Sequence, residues 1–285
     1  MATTTKNQHH YYIPNPSPYP ALLSLSLLLM GLGFGLAINA VASGQWLILA
    51  GALPLLYVLF GWFGKVIAEN GNGRYQRWED RSFRLGMIWF IASEVVLFAT
   101  FFGVLFYERH ISVPWLASFS PRFTPWPGFA GTWPTSGPAG APFTPMHAWG
   151  IPAINTIILL SSGATVTWAH WGLRGGRRMQ SILGLFLTVA LGAVFLVLQA
   201  YEFHSAYTKL GLTLGSGVYG ATFFMLTGLH GIHVTLGVVM LTVIWLRLIK
   251  GHFGPDHHFA FEAVSWYWHF VDVVWLLLFV LVYWL

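Results

Sequence analysis

The sequence of 285 residues contains no cysteine and few charged side chains. Without cysteine the chain can form no disulfide, no thiolate metal site and no CxxCH haem attachment. Only 8% of its residues are charged while 56% are hydrophobic, so a water-soluble fold would lack the polar groups needed to cover its surface. The composition therefore predicts an integral membrane protein.

Long apolar runs account for most of the chain. About 20 such residues suffice for a helix to cross a bilayer, whereas barrel strands are about ten residues long and alternate in polarity. The runs do not alternate, so we predict an all-helical membrane protein with seven transmembrane helices. They cover approximately residues 21–42, 46–64, 85–107, 152–170, 181–203, 217–246 and 262–284.

The positive charges are distributed unevenly between the two sides that seven spans define. Eleven of the 14 Lys and Arg residues fall in the N-terminus and the loops after spans two, four and six, and three fall on the other side. Basic loops remain on the cytoplasmic or matrix side, which predicts the N-terminus there and the C-terminus on the opposite side. The net charge of +5 thus reports topology and gives no reason to expect nucleic-acid binding.

Composition also divides the chain along its length. Residues 1–20 are polar and proline-rich, which excludes a classical signal peptide and predicts an extended tail on the cytoplasmic side. We predict a two-helix hairpin at 21–64, a polar connecting segment at 65–84 and a five-helix bundle at 85–285. A Pro-, Gly- and Trp-rich loop from about Glu108 to Ile151 is expected to cover helix ends at the surface.

Glu94 lies about nine residues inside the third apolar run. A carboxylate at that depth is costly and is rarely left facing lipid, so it marks a proton, ion or polar-partner site. Asp272 is similarly deep, and His269 lies one helical turn away on the same face, which permits either a proton relay or a structural hydrogen bond. Glu202 and Glu262 fall at span ends and are predicted to be interfacial anchors.

His230 and His233 lie three residues apart on the sixth span. Two histidines on one helix are too few for a metal site, so we predict packing or contact with lipid head groups. His252, His257 and His258 precede the last span and are predicted to be solvated, since a helix from His233 to His252 would extend about 28 Å. We predict no metal-binding and no catalytic residue in this chain.

Five stretches together resemble the third subunit of haem–copper cytochrome c oxidases. The resemblance extends from about residue 82 to the end of the chain, whereas the first sixty residues and the 109–151 loop match the family less well. The stretches are WFIASEVVLFATFF, NTIILLSSGATVTWAHW, LQAYEF, GVYGATFFMLTGLHGIHV and HHFAFEAVSWYWHFVDVVWL.

The resemblance implies a subunit without redox centres that packs directly against catalytic subunit I, with subunit II in the same complex. Haem and copper are then expected only in those partners. Such a complex, here of the aa3 type, oxidises cytochrome c, reduces dioxygen to water and pumps protons in aerobic respiration. The resemblance further implies a bacterial plasma membrane or a mitochondrial inner membrane as the location.

In this family the first two helices splay from the other five and leave a cleft that holds phospholipids. The resemblance implies that Glu94 is a buried carboxylate near bound lipid and that the subunit supports proton uptake. The positions that match the family's lipid-binding residues are Trp62, Glu69, Arg84, His230, His233, Arg247 and Lys250; the basic ones suit lipid phosphate.

Three other functions are alternatives to that of a cytochrome c oxidase subunit. An independent seven-helix transporter would use Glu94, His269 and Asp272 as a proton relay. The related quinol oxidase subunit usually has five helices, whereas residues 21–64 supply an additional pair and favour cytochrome c as the electron donor. A retinal protein is excluded because residues 262–285 contain no lysine for a Schiff base.

Overall fold

The computed structural model describes residues 12–75, 77–118, 126, 128–255 and 257–285, with the side chain of Arg77 left out. Seven helices in this part are long and apolar enough to cross a membrane, and the described residues contain no strand. The predicted all-helical fold with seven spans is confirmed. The helices are α1 Tyr19–Ile38, α2 Ser43–Gly71, α3 Arg77–Tyr107, α4 Ile151–Arg174, α5 Arg178–Lys209, α6 Gly217–Ile249 and α7 Phe259–Leu278.

Several helices extend beyond the apolar runs that predicted them. The predicted connecting segment 65–84 is mostly helical, since α2 continues to Gly71 and α3 begins at Arg77. A π-helical turn, Glu108–Ser112, and a short α-helix, Val113–Ala117, prolong α3 into the predicted loop. Polar side chains in the interfacial region can be hydrated while the backbone continues its hydrogen bonding, so hydropathy locates the membrane core rather than the helix end.

The chain divides into two compact units, of which the first ends at Phe83 and the second begins at Arg84. In the first unit, α1 and α2 form an antiparallel hairpin whose contacts depend on small residues. A side chain at Gly33 would lie 2.7 Å from the backbone nitrogen of Ile48, and one at Gly51 would lie 2.6 Å from the carbonyl oxygen of Ser26. Glycine therefore permits the close backbone approach that helices use in a bilayer.

We expect Gly33→Leu to weaken the hairpin and Gly31→Leu to leave it intact. Both positions lie on α1, but the added side chain overlaps α2 at Gly33, while nothing lies within 4 Å of a Cβ at Gly31. Overpacking of this kind costs about 1–3 kcal/mol. Thermal unfolding of the full chain in detergent micelles should show a lower midpoint for the first variant alone, and equal midpoints would contradict close packing at Gly33.

The second unit is organised around two tryptophans of α7. Trp268 is fully buried and donates its indole N–H to the Ser162 hydroxyl at 2.9 Å. Trp275, 1% exposed, donates to the Thr156 hydroxyl at the same distance. Both acceptors belong to α4, so each ring fills space between the helices while its polar atom is satisfied. The site around Glu94 is built on this unit.

Candidate functional site

Glu94 of α3 faces a histidine of α6. Its Oε2 lies 2.8 Å from Nε2 of His233, and the two side chains are 16% and 10% exposed, respectively. The carboxylate thus contacts a protein side chain, and its partner is one of the two histidines that lie three residues apart on the sixth span. The two residues are 139 positions apart in the chain.

The hydrogen bonds of His233 fix how many protons the pair holds. Its Nδ1 lies 2.7 Å from the backbone carbonyl oxygen of Leu229, and because a carbonyl can only accept, Nδ1 carries a hydrogen. The short contact between Nε2 and Glu94 then requires one further proton, shared by the two atoms. The pair is neutral overall, whether the proton resides on oxygen or on nitrogen, and this suits a site inside a membrane.

Aromatic rings enclose the pair within the second unit. The Phe98 ring contacts His233 edge-on at 5.0 Å between centroids, and the Tyr267 ring stacks on His233 at 6.4 Å. The Tyr267 hydroxyl donates to the backbone carbonyl of His233 at 3.2 Å, which ties α7 to α6 at this level. Such surroundings lower the local polarity and make separation of charge in the pair costly.

His269 and Asp272 lie next to each other on one face of α7. His269 Nδ1 lies 3.7 Å from Asp272 Oδ2, and its Nε2 lies 3.2 Å from the Thr167 hydroxyl of α4. The aspartate is buried, while the histidine side chain is 46% exposed. Among the described residues, no direct hydrogen bond connects this pair to Glu94 or His233. The two intramembrane acids therefore have separate histidine partners.

His230 occupies a different position from its neighbour His233. Its side chain is fully buried, Nε2 lies 3.2 Å from the carbonyl oxygen of Val271, and the ring packs against Trp275 at 5.2 Å. The ring is thus enclosed by protein on all sides. It packs between α6 and α7, and contact of His230 with lipid remains a prediction.

Comparison with known proteins identifies the family to which this arrangement belongs. The family model described as cytochrome c oxidase subunit III matches residues 9–285. The chain belongs to this family. It is similar to the proteins named cytochrome c oxidase subunit 3 from Dugong dugon, at 41% identity over 84% of this chain and 83% of the relative, and from Gallus gallus, at 42% over 82% of each. The subunit from Cyprinus carpio is 42% identical over the same shares.

Two positions that match the family's lipid-binding residues lie in the first unit. Trp62 stacks on Tyr19 with ring centroids 6.1 Å apart. Glu69 is 9% exposed and accepts a hydrogen bond of 2.7 Å from the Tyr75 hydroxyl. Burial, together with this bond to the carboxylate, raises the pKa of Tyr75, so the phenol remains a donor throughout the ordinary pH range. A role in lipid binding remains a prediction for Trp62 and Glu69.

The basic positions suggested by the cytochrome c oxidase subunit III family lie at one end of the bundle in the second unit. Arg84 pairs with Glu262 and lies over the Phe259 ring at 5.0 Å. Arg247 stacks on Phe253 at 4.5 Å, and Lys250 is exposed directly after the last residue of α6. Contact of Arg247 and Lys250 with lipid remains a prediction.

Two acidic residues and one histidine differ from the expectations. Glu202 was predicted at a span end within reach of water, but α5 continues to Lys209 and leaves it 2% exposed. His258 was predicted to be solvated but is only 9% exposed. Its Nε2 lies 3.1 Å from Oε1 of Glu262, so Glu262 makes a contact within the protein and is not only an interfacial anchor. The spacing of four residues between His258 and Glu262 was the sequence signal that indicated this contact.

Proposed function

We propose that this chain is the non-redox third subunit of an aa3-type cytochrome c oxidase. The match to the family over residues 9–285 carries the proposal, and the chain's relatives bear the name of that subunit. The subunit is part of an oxidoreductase complex, and electron transfer, oxygen reduction and proton pumping belong to its catalytic partners. This chain packs against subunit I beside subunit II, and cytochrome c donates electrons to the complex.

The Glu94–His233 pair supports a stabilising role for the subunit. It connects α3 to α6 through one shared proton at a depth where each group alone would be costly. We propose that the pair holds the bundle in the shape that subunit I requires and that the subunit thereby sustains proton uptake. We propose that the N-terminus lies on the cytoplasmic or matrix side of a bacterial plasma membrane or a mitochondrial inner membrane, because the basic residues are concentrated in the loops assigned to that side.

Removal of the subunit from the purified oxidase tests this role. We expect initial turnover to persist, because the redox centres lie elsewhere, while proton uptake slows and activity is lost after fewer catalytic cycles. The measurement compares oxygen consumption and proton uptake over many turnovers with and without the chain. If adding back the purified chain changes neither durability nor uptake, the proposed role is wrong.

Arg247 and Lys250 are proposed to retain phospholipid through their positive charges at the end of α6. A basic side chain near an anionic head group contributes about 1 kcal/mol, which corresponds to about fivefold in affinity for each residue. We therefore expect Arg247→Gln with Lys250→Gln to reduce the phospholipid that copurifies with the complex, as measured by native mass spectrometry. Arg109→Gln, a charge change after α3 on the predicted opposite side, is the matched control and should retain the native amount.

A further inference from the structure

Three potential metal ligands meet where α4 ends and α7 begins. Nε2 of His258 lies 3.1 Å from Oε1 of Glu262, and Nε2 of His170 lies 3.7 Å from the same oxygen. All three atoms lie within 4.8 Å of one another. Both nitrogens are buried and have no hydrogen-bond partner. The group lies entirely within the second unit and is distinct from the Glu94–His233 pair.

The separations fit the dimensions of a zinc centre. Zinc binds histidine nitrogen and carboxylate oxygen at about 2.0–2.2 Å in tetrahedral geometry, which places adjacent ligand atoms about 3.3–3.5 Å apart. The two distances to Oε1 of Glu262, 3.1 and 3.7 Å, lie on either side of that value. The third separation, between the two histidine nitrogens, is at most 4.8 Å, so binding one ion requires the two rings to rotate towards each other.

Neighbouring groups orient the ligands for a cation. Nδ1 of His258 lies 3.1 Å from the carbonyl oxygen of Gly254, so it carries the hydrogen in the neutral ring and leaves the lone pair of Nε2 directed towards Glu262. Two hydrogen-bond acceptors whose lone pairs face each other at that distance repel unless a positive charge lies between them. His170 is held by stacking on Phe261, with ring centroids 5.4 Å apart. Orientation of histidine ligands by such outer contacts is usual in metal sites.

The second oxygen of Glu262 is held by Arg84 of α3. This contact leaves Oε1 available and fixes the plane of the carboxylate, so one acidic side chain is shared between a guanidinium and the proposed ion. The ligand set consists of two imidazoles and one carboxylate, which suits zinc and related divalent transition ions and does not suit magnesium or calcium. A fourth tetrahedral position remains for water.

We propose that His170, His258 and Glu262 bind a divalent transition-metal ion, with Zn²⁺ as the best fit, at this end of the bundle. The ion would connect α4 and α7 directly and α3 through Arg84, and would thereby stabilise their packing. The proposal revises the sequence-based prediction of no metal site, which treated His258 as solvated. It stands on this geometry alone and does not depend on the proposed role in the oxidase.

Zinc titration of the full chain in lipid nanodiscs, after treatment with a chelator, tests the site. Competition with a fluorescent zinc indicator should show binding that weakens at least tenfold in His258→Asn and in Glu262→Gln. His257→Asn changes the adjacent, exposed histidine and should bind zinc as the native chain does. Magnesium should not compete. Equal zinc binding by the native chain and all three variants would overturn the proposal.

The native chain provides a second measurement that does not depend on how the variants fold. Zinc-edge X-ray absorption of the chain loaded with one equivalent should show a first shell of nitrogen and oxygen atoms at about 2.0–2.2 Å, including two imidazoles. Thermal unfolding should move to higher temperature on zinc addition. If the native chain takes up no zinc at micromolar concentration, the proposal fails.

Discussion

Glu94→Ala is expected to destabilise the helix bundle by about 3 kcal/mol, because it leaves a buried histidine nitrogen without its partner. Glu94→Gln should cost about 1 kcal/mol or less, since the amide can still donate a hydrogen bond to Nε2 of His233. The contact that changes is the 2.8 Å bond in a site where both side chains are at most 16% exposed. Detergent-induced unfolding of the full chain measures both values.

A double-mutant cycle separates the pair from other effects of the substitution. The His233→Ala change alone should cost a similar amount, and adding it to Glu94→Ala should cost little more, since the partner has already been lost. Simple addition of the two single effects would show that the residues are not coupled and that the buried acid is stabilised in some other way. Glu108→Ala, one of the acids outside the apolar core of α3, supplies a control of similar chemistry.

Infrared spectroscopy can detect the proton that the two side chains share. The difference spectrum between the native chain and Glu94→Gln should contain either the carbonyl band of a protonated carboxylic acid or the ring bands of an imidazolium. Either result corresponds to one proton in the bridge. An ionised carboxylate beside a neutral imidazole would contradict the hydrogen-bond assignment made from Leu229 and His233.

The sequence predicts that Glu94 lies inside the membrane, but it does not identify what Glu94 contacts. Depth follows from the apolar run around it, which is a local property. The partner lies 139 residues away and is determined by how α3 packs on α6. The sequence could not show which of the two histidines contacts Glu94, because this depends on how the helices pack. His233 contacts Glu94, whereas His230 contacts the carbonyl of Val271.

The same distinction, between local sequence properties and long-range packing, explains which parts of the fold were predictable. The number and type of the helices follow from seven apolar runs, which is why they were predictable. The ends were less predictable, because α2, α3 and α5 continue into polar sequence where hydropathy carries no signal. His258 illustrates the consequence: its sequence neighbours are those of a polar loop, but it immediately precedes α7 and its side chain contacts Glu262.

Trp268→Ala is also expected to have a large effect and to destabilise the helix bundle by about 3–5 kcal/mol. Lipid tails are as apolar as the bundle interior, so helix association in a membrane depends on close packing and on satisfied polar groups rather than on burial alone. Trp268 supplies both. Its ring lies against Gly192 and Gly237, where a Cβ would approach it to 2.9 and 2.7 Å, respectively, and its N–H bonds to Ser162.

Trp268→Ala opens a cavity between α5, α6 and α7 and leaves the Ser162 hydroxyl without its hydrogen-bond donor. Lipid does not compensate for the van der Waals contacts that are lost. Trp268→Phe should lie between the native chain and alanine, because it retains much of the ring and loses the hydrogen bond. Trp171→Ala is the matched control for the loss of an indole ring, because Trp171 of α4 is 62% exposed. Should the two alanine variants unfold at the same detergent concentration, tight packing around Trp268 would not be what holds the bundle together.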